Sequence, residues 1–163
     1  MLAKVGTIAA DLIIFDLEDS VLASEKPQAR KRVQSILKDN FSGRQTRAVR
    51  INAMDTQHMQ EDLDAVMPGR PDVIMLPKLE SGEQLVQLSA LLDQLESENG
   101  IELGNTKVIG ITAETSRGIF GFDTISNTSN RLVGLSWGAE DLATELGATT
   151  NRDQQGRFLP PFE

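Results

Sequence analysis

Short apolar runs, rich in β-branched residues, recur along the chain, and each one ends in a polar or glycine-containing segment. Runs of this length and composition predict β-strands that are largely buried. We expect five strands, near Leu12–Leu17, Ala48–Asn52, Val73–Pro77, Lys107–Ala113 and Leu132–Ser136.

The stretches between these runs have apolar residues three and four positions apart, which is the spacing of one helix face. The clearest example is the leucine stripe Leu85, Leu88, Leu91, Leu92 and Leu95. Other helices are expected near residues 24–37 and 59–67, after Gly118 and from Asp141. Strands that alternate with helices predict parallel βαβ units. The fold class is therefore α/β, with either a doubly wound sheet or part of a (β/α)8 barrel.

Charged residues follow every predicted strand. In a parallel α/β protein the loops after the strands line one common face, so these groups are expected to gather there. Carboxylates at the end of a buried strand are costly unless a cation meets them, which makes the arginine and lysine their natural countercharges. The residues are Asp16, Glu18 and Asp19 after the first strand, Arg50 in the second, Lys78 after the third, Glu114 after the fourth, and Glu140 and Asp141 after the fifth.

Alternation along a strand predicts which side chains share a face, because residues two apart point the same way. This rule places Glu114 with Gly110 and Thr112, and Lys78 with Leu76. Small and polar partners suggest that Gly110 and Thr112 mark the side of the fourth strand that looks towards a site.

Glu114 and Asp141 follow adjacent predicted strands and have no cation close to them in sequence. Carboxylates without Cys or His favour Mg²⁺, and two of them leave coordination positions for water and a chelating ligand such as a 2-oxo acid. The alternative is that both are acids at the start of a helix, where the helix dipole favours negative charge. In the same way, Asp16, Glu18 and Asp19 could form only a structural ion network.

The charge balance excludes some classes of partner. The 163 residues include 16 Lys and Arg against 24 Asp and Glu, for a net charge of −8. This argues against binding to nucleic acids or to anionic membrane surfaces, both of which need clustered cations. The chain has no cysteine, no predicted membrane-spanning segment and no signal-peptide pattern, so a cytoplasmic location is expected. The cations Arg30, Lys31 and Arg32 are expected on the solvated face of a helix.

Five segments occur in an order that resembles a known family. They are "ADLIIFDLEDSV", "AVRIN", "VIMLPKLES", "ITAETSRGIF" and "GLSWGAEDLATELGA". Together they are similar to the citrate lyase beta subunit-like (CitE-like) branch of the HpcH/HpaI aldolase family. The resemblance implies a (β/α)8 barrel. It also implies a Mg²⁺-dependent lyase or synthase that breaks or makes a carbon–carbon bond in an acyl-thioester such as citryl-, malyl- or citramalyl-CoA.

The same resemblance implies roles for individual residues. Glu114 and Asp141 are expected to bind Mg²⁺, and Arg50 is expected to contact the substrate as a catalytic residue. Glu18 and Asp19 are expected to organise the catalytic site, and Ala139 and Glu140 to lie against the substrate. The partners implied are a 2-oxo acid and an acyl-thioester, with a homo-oligomeric assembly of this chain.

The chain departs from the family pattern at both ends. The first family strand and the last two strands have no counterpart, so residues 1–163 are expected to form a partial barrel domain of about five βα units. The segment 1–11 resembles the helix that follows the family's first strand. Two other functions stay open: a class II pyruvate aldolase of the HpaI type, and a catalytically inert fragment or assembly subunit.

Overall fold

The computed structural model describes residues 9–38, 45–160 and 162. One parallel sheet holds five strands in the order in which they occur along the chain. The strands are β1 (Leu12–Asp16), β2 (Thr46–Arg50), β3 (Val73–Leu76), β4 (Lys107–Thr112) and β5 (Leu132–Trp137).

Helices fill the connections between the strands. They are α1 (Lys26–Lys38), α2 (His58–Val66), α3 (Gly82–Glu98), α4 (Ser116–Phe120), α5 (Phe122–Ile125) and α6 (Ala139–Glu145). Short 3₁₀ turns precede α1 at Ala23–Glu25 and follow α2 at Met67–Gly69. Within the described ranges, no helix has both the length and the apolar character needed to cross a membrane.

This architecture confirms the α/β fold class and the consecutive parallel βα units. Each predicted strand is present, although β2 begins and ends two residues earlier than the sequence indicated. Neighbouring strands pair in sequence order, as they do in an unclosed portion of a (β/α)8 barrel. Residues 1–8 of the expected N-terminal helix lie outside the described residues.

The main hydrophobic core lies between one face of the sheet and helices α1 to α3. The predicted leucine stripe of α3 is buried there, with Leu85, Leu88 and Leu92 fully inaccessible to solvent. Ser81 caps the N-terminus of this helix, because its hydroxyl accepts a hydrogen bond from the Gln84 backbone N–H.

The opposite face of the sheet carries the cavity, and the facing predicted for β4 was wrong. Gly110 looks towards the helices, where a Cβ would lie 2.4 Å from Cδ2 of buried Leu79. It is Ile111 that lines the cavity. Glu114 nevertheless reaches the same side because Ala113 has a left-handed backbone, with φ of 52°, which breaks the alternation.

The facing predicted for the end of β3 was wrong for the same reason. Leu76 is buried in the helix-side core, whereas Met75 lines the cavity. Lys78 has φ of 50°, and this left-handed turn carries its side chain back towards the site.

Candidate active site

An open cavity of about 610 Å³ lies where the five parallel strands end. This is the edge at which α/β proteins place their functional groups. The side chains that line it come from every strand or from the segment after it. They include Ile14, Asp16, Arg50, Met75, Ile111, Glu114, Ser136, Ala139, Glu140, Asp141, Arg152 and Phe158.

Arg50 of β2 and Asp16 of β1 form a bidentate ion pair. Nε of Arg50 donates to Oδ1 of Asp16 at 2.8 Å, and Nη2 donates to Oδ2 at 2.6 Å. Burial by itself would raise the pKa of Asp16, but the hydrogen bonds from Arg50, Ser20 and the Glu18 backbone hold that pKa well below its usual range. The carboxylate therefore stays ionised, and the guanidinium keeps a fixed orientation.

Glu18 joins this pair to a second cation. Its buried carboxylate lies 3.0 Å from Nη1 of Arg50 and accepts a 2.8 Å hydrogen bond from Nζ of Lys78. Burial raises the pKa of Glu18, and the hydrogen bond from Lys78 opposes that rise. Asp19 is exposed and adds negative charge at the side. The prediction that Arg50 and Lys78 are countercharges of the first acidic segment is confirmed for Asp16 and Glu18.

The backbone that carries Glu18 is anchored by a buried polar network. Nζ of Lys26 donates to the carbonyl oxygens of Leu17 and Glu18, at 2.7 and 2.9 Å, and to Oδ1 of Asn52. Nδ2 of Asn52 donates to the Leu17 carbonyl and to Oδ2 of Asp62. The sequence did not predict this network, because a lysine at the start of a helix is normally expected to be exposed to solvent.

Glu114 lines the cavity and is almost completely buried. Its Oε2 accepts a 2.5 Å hydrogen bond from the Lys78 backbone N–H. Burial raises the pKa of Glu114 to about 7; the Lys78 N–H opposes this, and the charges of Glu18 and Asp141 add to it. Gly138 leaves room for the side chain, since a Cβ there would lie 2.5 Å from Cγ of Glu114.

Asp141 lies in the first turn of α6 and lines the same cavity. Among the described residues it forms no ion pair, and its negative charge helps to raise the pKa of Glu114. A buried acid beside a second, unpaired acid is destabilised until a cation joins them. Two carboxylates are also the oxygen donors that Mg²⁺ prefers, so Glu114 and Asp141 fit a magnesium ion.

The remaining candidates, Ala139 and Glu140, begin α6 at the cavity wall. Ala139 is buried, whereas the Glu140 side chain is 73% exposed and turns towards the segment that follows α6. Its Oε2 accepts a 2.7 Å hydrogen bond from Nδ2 of Asn151, and its Oε1 lies 3.5 Å from Nη2 of Arg152. Arg152 and Phe158 were not predicted, because nothing in a Gly- and Pro-punctuated loop marks them.

The cavity thus brings together Arg50, Glu114, Ala139, Glu140 and Asp141 of the predicted site, with Asp16 beside them. Glu18 lies behind Arg50, and neither Glu18 nor Asp19 is part of the cavity lining.

Comparisons with known proteins agree with this fold and show the family. The family model described as HpcH/HpaI aldolase/citrate lyase matches residues 1–157. The chain is 35% identical to the citrate lyase subunit beta of Leuconostoc mesenteroides subsp. cremoris over 159 residues, which are 98% of this chain and 52% of that protein. It is 34% identical to the (3S)-malyl-CoA thioesterase of Cereibacter sphaeroides (strain KD131 / KCTC 12085), over 94% of this chain and 49% of that protein.

A solved structure provides the same comparison in three dimensions. The citrate lyase beta subunit of M. tuberculosis, complexed with oxaloacetate and magnesium, is 33% identical to this chain and has a TM-score of 0.75. The match covers 97% of this chain and 61% of that one. The chain spans about half the length of the curated relatives it matches. Sequence, strand order and structural likeness agree, and the chain belongs to the HpcH/HpaI aldolase/citrate lyase family.

Proposed function

We propose that this chain forms the metal- and 2-oxo acid-binding part of a Mg²⁺-dependent carbon–carbon lyase or synthase. The substrate would be an acyl-thioester of a hydroxy acid, of the citryl-, malyl- or citramalyl-CoA type. The observation that carries the proposal is the pair Glu114 and Asp141, two carboxylates without an ion-pair partner among the described residues, in one cavity with Arg50. The relatives named citrate lyase and malyl-CoA thioesterase, and the oxaloacetate and magnesium in the M. tuberculosis structure, support it.

Glu114 and Asp141 would hold the ion. When bound, Mg²⁺ would supply Lewis-acid polarisation of the 2-oxo acid carbonyl. A buried acid such as Glu114 is suited to a permanent cation, because the cation removes the cost of burying its charge.

Arg50 would stabilise the negative charge that develops on the thioester enolate when the carbon–carbon bond breaks. Asp16 and Glu18 fix its guanidinium before substrate arrives, through the contacts at 2.6, 2.8 and 3.0 Å. A group that is already oriented does not have to reorganise during the reaction, which is the basis of electrostatic catalysis. In this proposal Glu18 and Asp16 act through Arg50, and Asp19 contributes only its charge.

We expect oxaloacetate binding to depend on magnesium. Isothermal titration calorimetry with Mg²⁺ in large excess over the protein should give a measurable dissociation constant for oxaloacetate. Removing the ion with a chelator should weaken binding by at least about tenfold. Glu114→Gln and Asp141→Asn should each reproduce most of that loss in the presence of the ion, because each removes a negatively charged oxygen donor.

Glu83→Gln is the matched control, since Glu83 is an exposed acid at the start of α3, outside the cavity. It should leave the affinity unchanged. Equal binding with and without magnesium, or no effect of either variant, would refute the metal assignment. No binding by the wild-type chain would favour the inert fragment or assembly subunit. Binding of pyruvate as tightly as oxaloacetate, with no effect of an acyl-thioester, would favour the pyruvate aldolase.

Three features stay predictions from the sequence: a homo-oligomeric assembly, a cytoplasmic location and a partial barrel domain over residues 1–163. The acyl group of the substrate belongs with them, because the relatives carry different names for their activity.

A further inference from the structure

The segment after α6 folds back and forms one wall of the cavity. Arg152 and Phe158 pair through an isolated antiparallel bridge, and both side chains line the cavity. Asn151 ties the segment to α6, because its Nδ2 donates to the Glu140 carboxylate at 2.7 Å. The segment is therefore tied to α6 next to Arg152, and its two cavity-lining residues are paired with each other.

The guanidinium of Arg152 lies over the face of an aromatic ring. Its Cζ lies 3.6 Å from the centroid of Phe158, and Nη1 donates to the Gly156 carbonyl at 3.0 Å. The Phe158 ring in turn meets Trp137 edge to face, with centroids 6.3 Å apart. Stacking of this kind orients an arginine while its edge stays available for an anion.

The two arginines of the cavity differ in how far their charge is already used. Arg50 contacts the carboxylates of Asp16 and Glu18 through all three of its side-chain nitrogens. Among the described residues, Arg152 forms one ion pair, with Glu140 at 3.5 Å, and the Arg152 and Glu140 side chains are 41% and 73% exposed. An ion pair this long and exposed contributes little, so the charge of Arg152 is the less neutralised of the two.

We propose that Arg152 binds a second anionic group of the substrate. The inference rests on the proposed function, in which one carboxylate and the adjacent ketone oxygen of a 2-oxo acid face Glu114, Asp141 and their ion. A further carboxylate or phosphate in the same cavity needs a cation whose charge the protein has left largely unneutralised. Arg152 meets that need through charge-assisted hydrogen bonds from a fixed planar group. The anion is either the distal carboxylate of a dicarboxylic 2-oxo acid or a phosphate of the thioester carrier.

The test compares two acids that differ in that distal carboxylate. Dissociation constants for oxaloacetate and for pyruvate are measured by calorimetry with Mg²⁺ present, for the wild-type chain and for Arg152→Gln. We expect the variant to weaken oxaloacetate binding by about tenfold, the scale of one charge-assisted hydrogen bond, and to leave pyruvate binding within about twofold. Arg157→Gln removes an equal charge from an exposed position of the same segment, outside the cavity lining, and should change neither constant.

Coenzyme A serves as a third ligand and separates the two sources of the anion. Weaker binding of oxaloacetate alone assigns Arg152 to the distal carboxylate. Weaker binding of coenzyme A alone assigns it to a carrier phosphate. Equal weakening of oxaloacetate and pyruvate, or no change with any ligand, overturns the proposal, because Arg152 would then act through the fold or the general charge of the protein.

A failure of the proposed function gives a different pattern. If the wild-type chain binds neither 2-oxo acid, malonate becomes the probe, since it offers two carboxylates without a ketone. Trp137 is the single tryptophan of the chain and touches the ring under Arg152, so its fluorescence reports on this place. If malonate causes a saturable change in Trp137 fluorescence, and Arg152→Gln abolishes that change, the proposed anion site is supported. Absence of any saturable change in the wild-type chain overturns it.

Discussion

Glu96→Gln is expected to lower the free energy of unfolding by about 3–5 kcal/mol, because it breaks a buried ion pair from one side. Glu96 is completely inaccessible, and the Arg131 side chain that it contacts at 2.6 Å is 6% exposed. The backbone N–H groups of Gly104 and Thr106 also donate to this carboxylate, each at 2.7 Å. A glutamine would turn an NH₂ group towards donors and leave the buried arginine charge without its buried carboxylate partner.

A second acid on the same arginine provides the control. Asp93 also pairs with Arg131, but its side chain is 59% exposed. Asp93→Asn should therefore cost less than about 1 kcal/mol, since solvent screens an exposed ion pair. Urea unfolding followed by circular dichroism measures both variants. Similar losses of unfolding free energy for the two substitutions would show that the buried ion pair contributes no more to stability than the exposed one.

The same pair sets an acid limit on stability. Burial alone would raise the pKa of Glu96, but the hydrogen bonds from Arg131, Thr106 and Gly104 lower it to about 2. A carboxyl whose folded-state pKa is depressed stabilises the fold above its ordinary pKa, near 4.5, and loses that contribution as the pH falls towards 2. The wild-type chain should therefore lose more unfolding free energy over this interval than Glu96→Gln does.

The fold was predictable because buried parallel strands occur in the sequence as short apolar runs between amphipathic helices. The run before Asp16 became β1, and the leucine stripe from Leu85 to Leu95 became the buried face of α3. The gathering of acids and of Arg50 followed from the position of each residue after a strand, which requires no knowledge of side-chain geometry.

The alternation of side chains failed where a non-glycine residue adopts a left-handed backbone. Ala113 and Lys78 have positive φ, and neither residue type signals this in a sequence. The reach of Glu114 into the cavity and of Lys78 to Glu18 therefore depends on turns that the strand pattern does not contain.

The sequence pattern also did not predict that charged residues of α1 are buried. Arg30 was predicted on a solvated face, and that prediction was wrong: its side chain is 9% exposed and pairs with fully buried Asp62 at 2.7 Å. The partner lies 32 residues away on α2, so only the packing of two helices reveals the contact. Lys26 was missed for a related reason, because the carbonyl groups that accept its hydrogen bonds belong to Leu17 and Glu18, just after β1.

Gly138→Ala is expected to weaken magnesium-dependent oxaloacetate binding by at least about tenfold, because it displaces one of the two charged oxygen donors of the proposed metal site. Gly138 has φ of −117°, so alanine is compatible with the backbone itself. The obstacle is the new Cβ, which would lie 2.5 Å from Cγ and 2.8 Å from Oε1 of Glu114. Glu114 must then leave the position in which it faces Asp141.

Gly134→Ala separates this effect from any general intolerance of alanine in the same region. A Cβ at Gly134, in β5, would meet Cγ1 of Ile109 at 3.6 Å, an ordinary van der Waals contact. This control should bind oxaloacetate like the wild-type chain, and both variants should unfold within about 1–3 kcal/mol of it, the usual range for one added methyl group. Equal oxaloacetate affinity of Gly138→Ala and Gly134→Ala would mean that the position of Glu114 does not matter for binding. Selective loss in Gly138→Ala, with the fold retained, would locate the metal-linked function at the carboxylate that Gly138 makes room for.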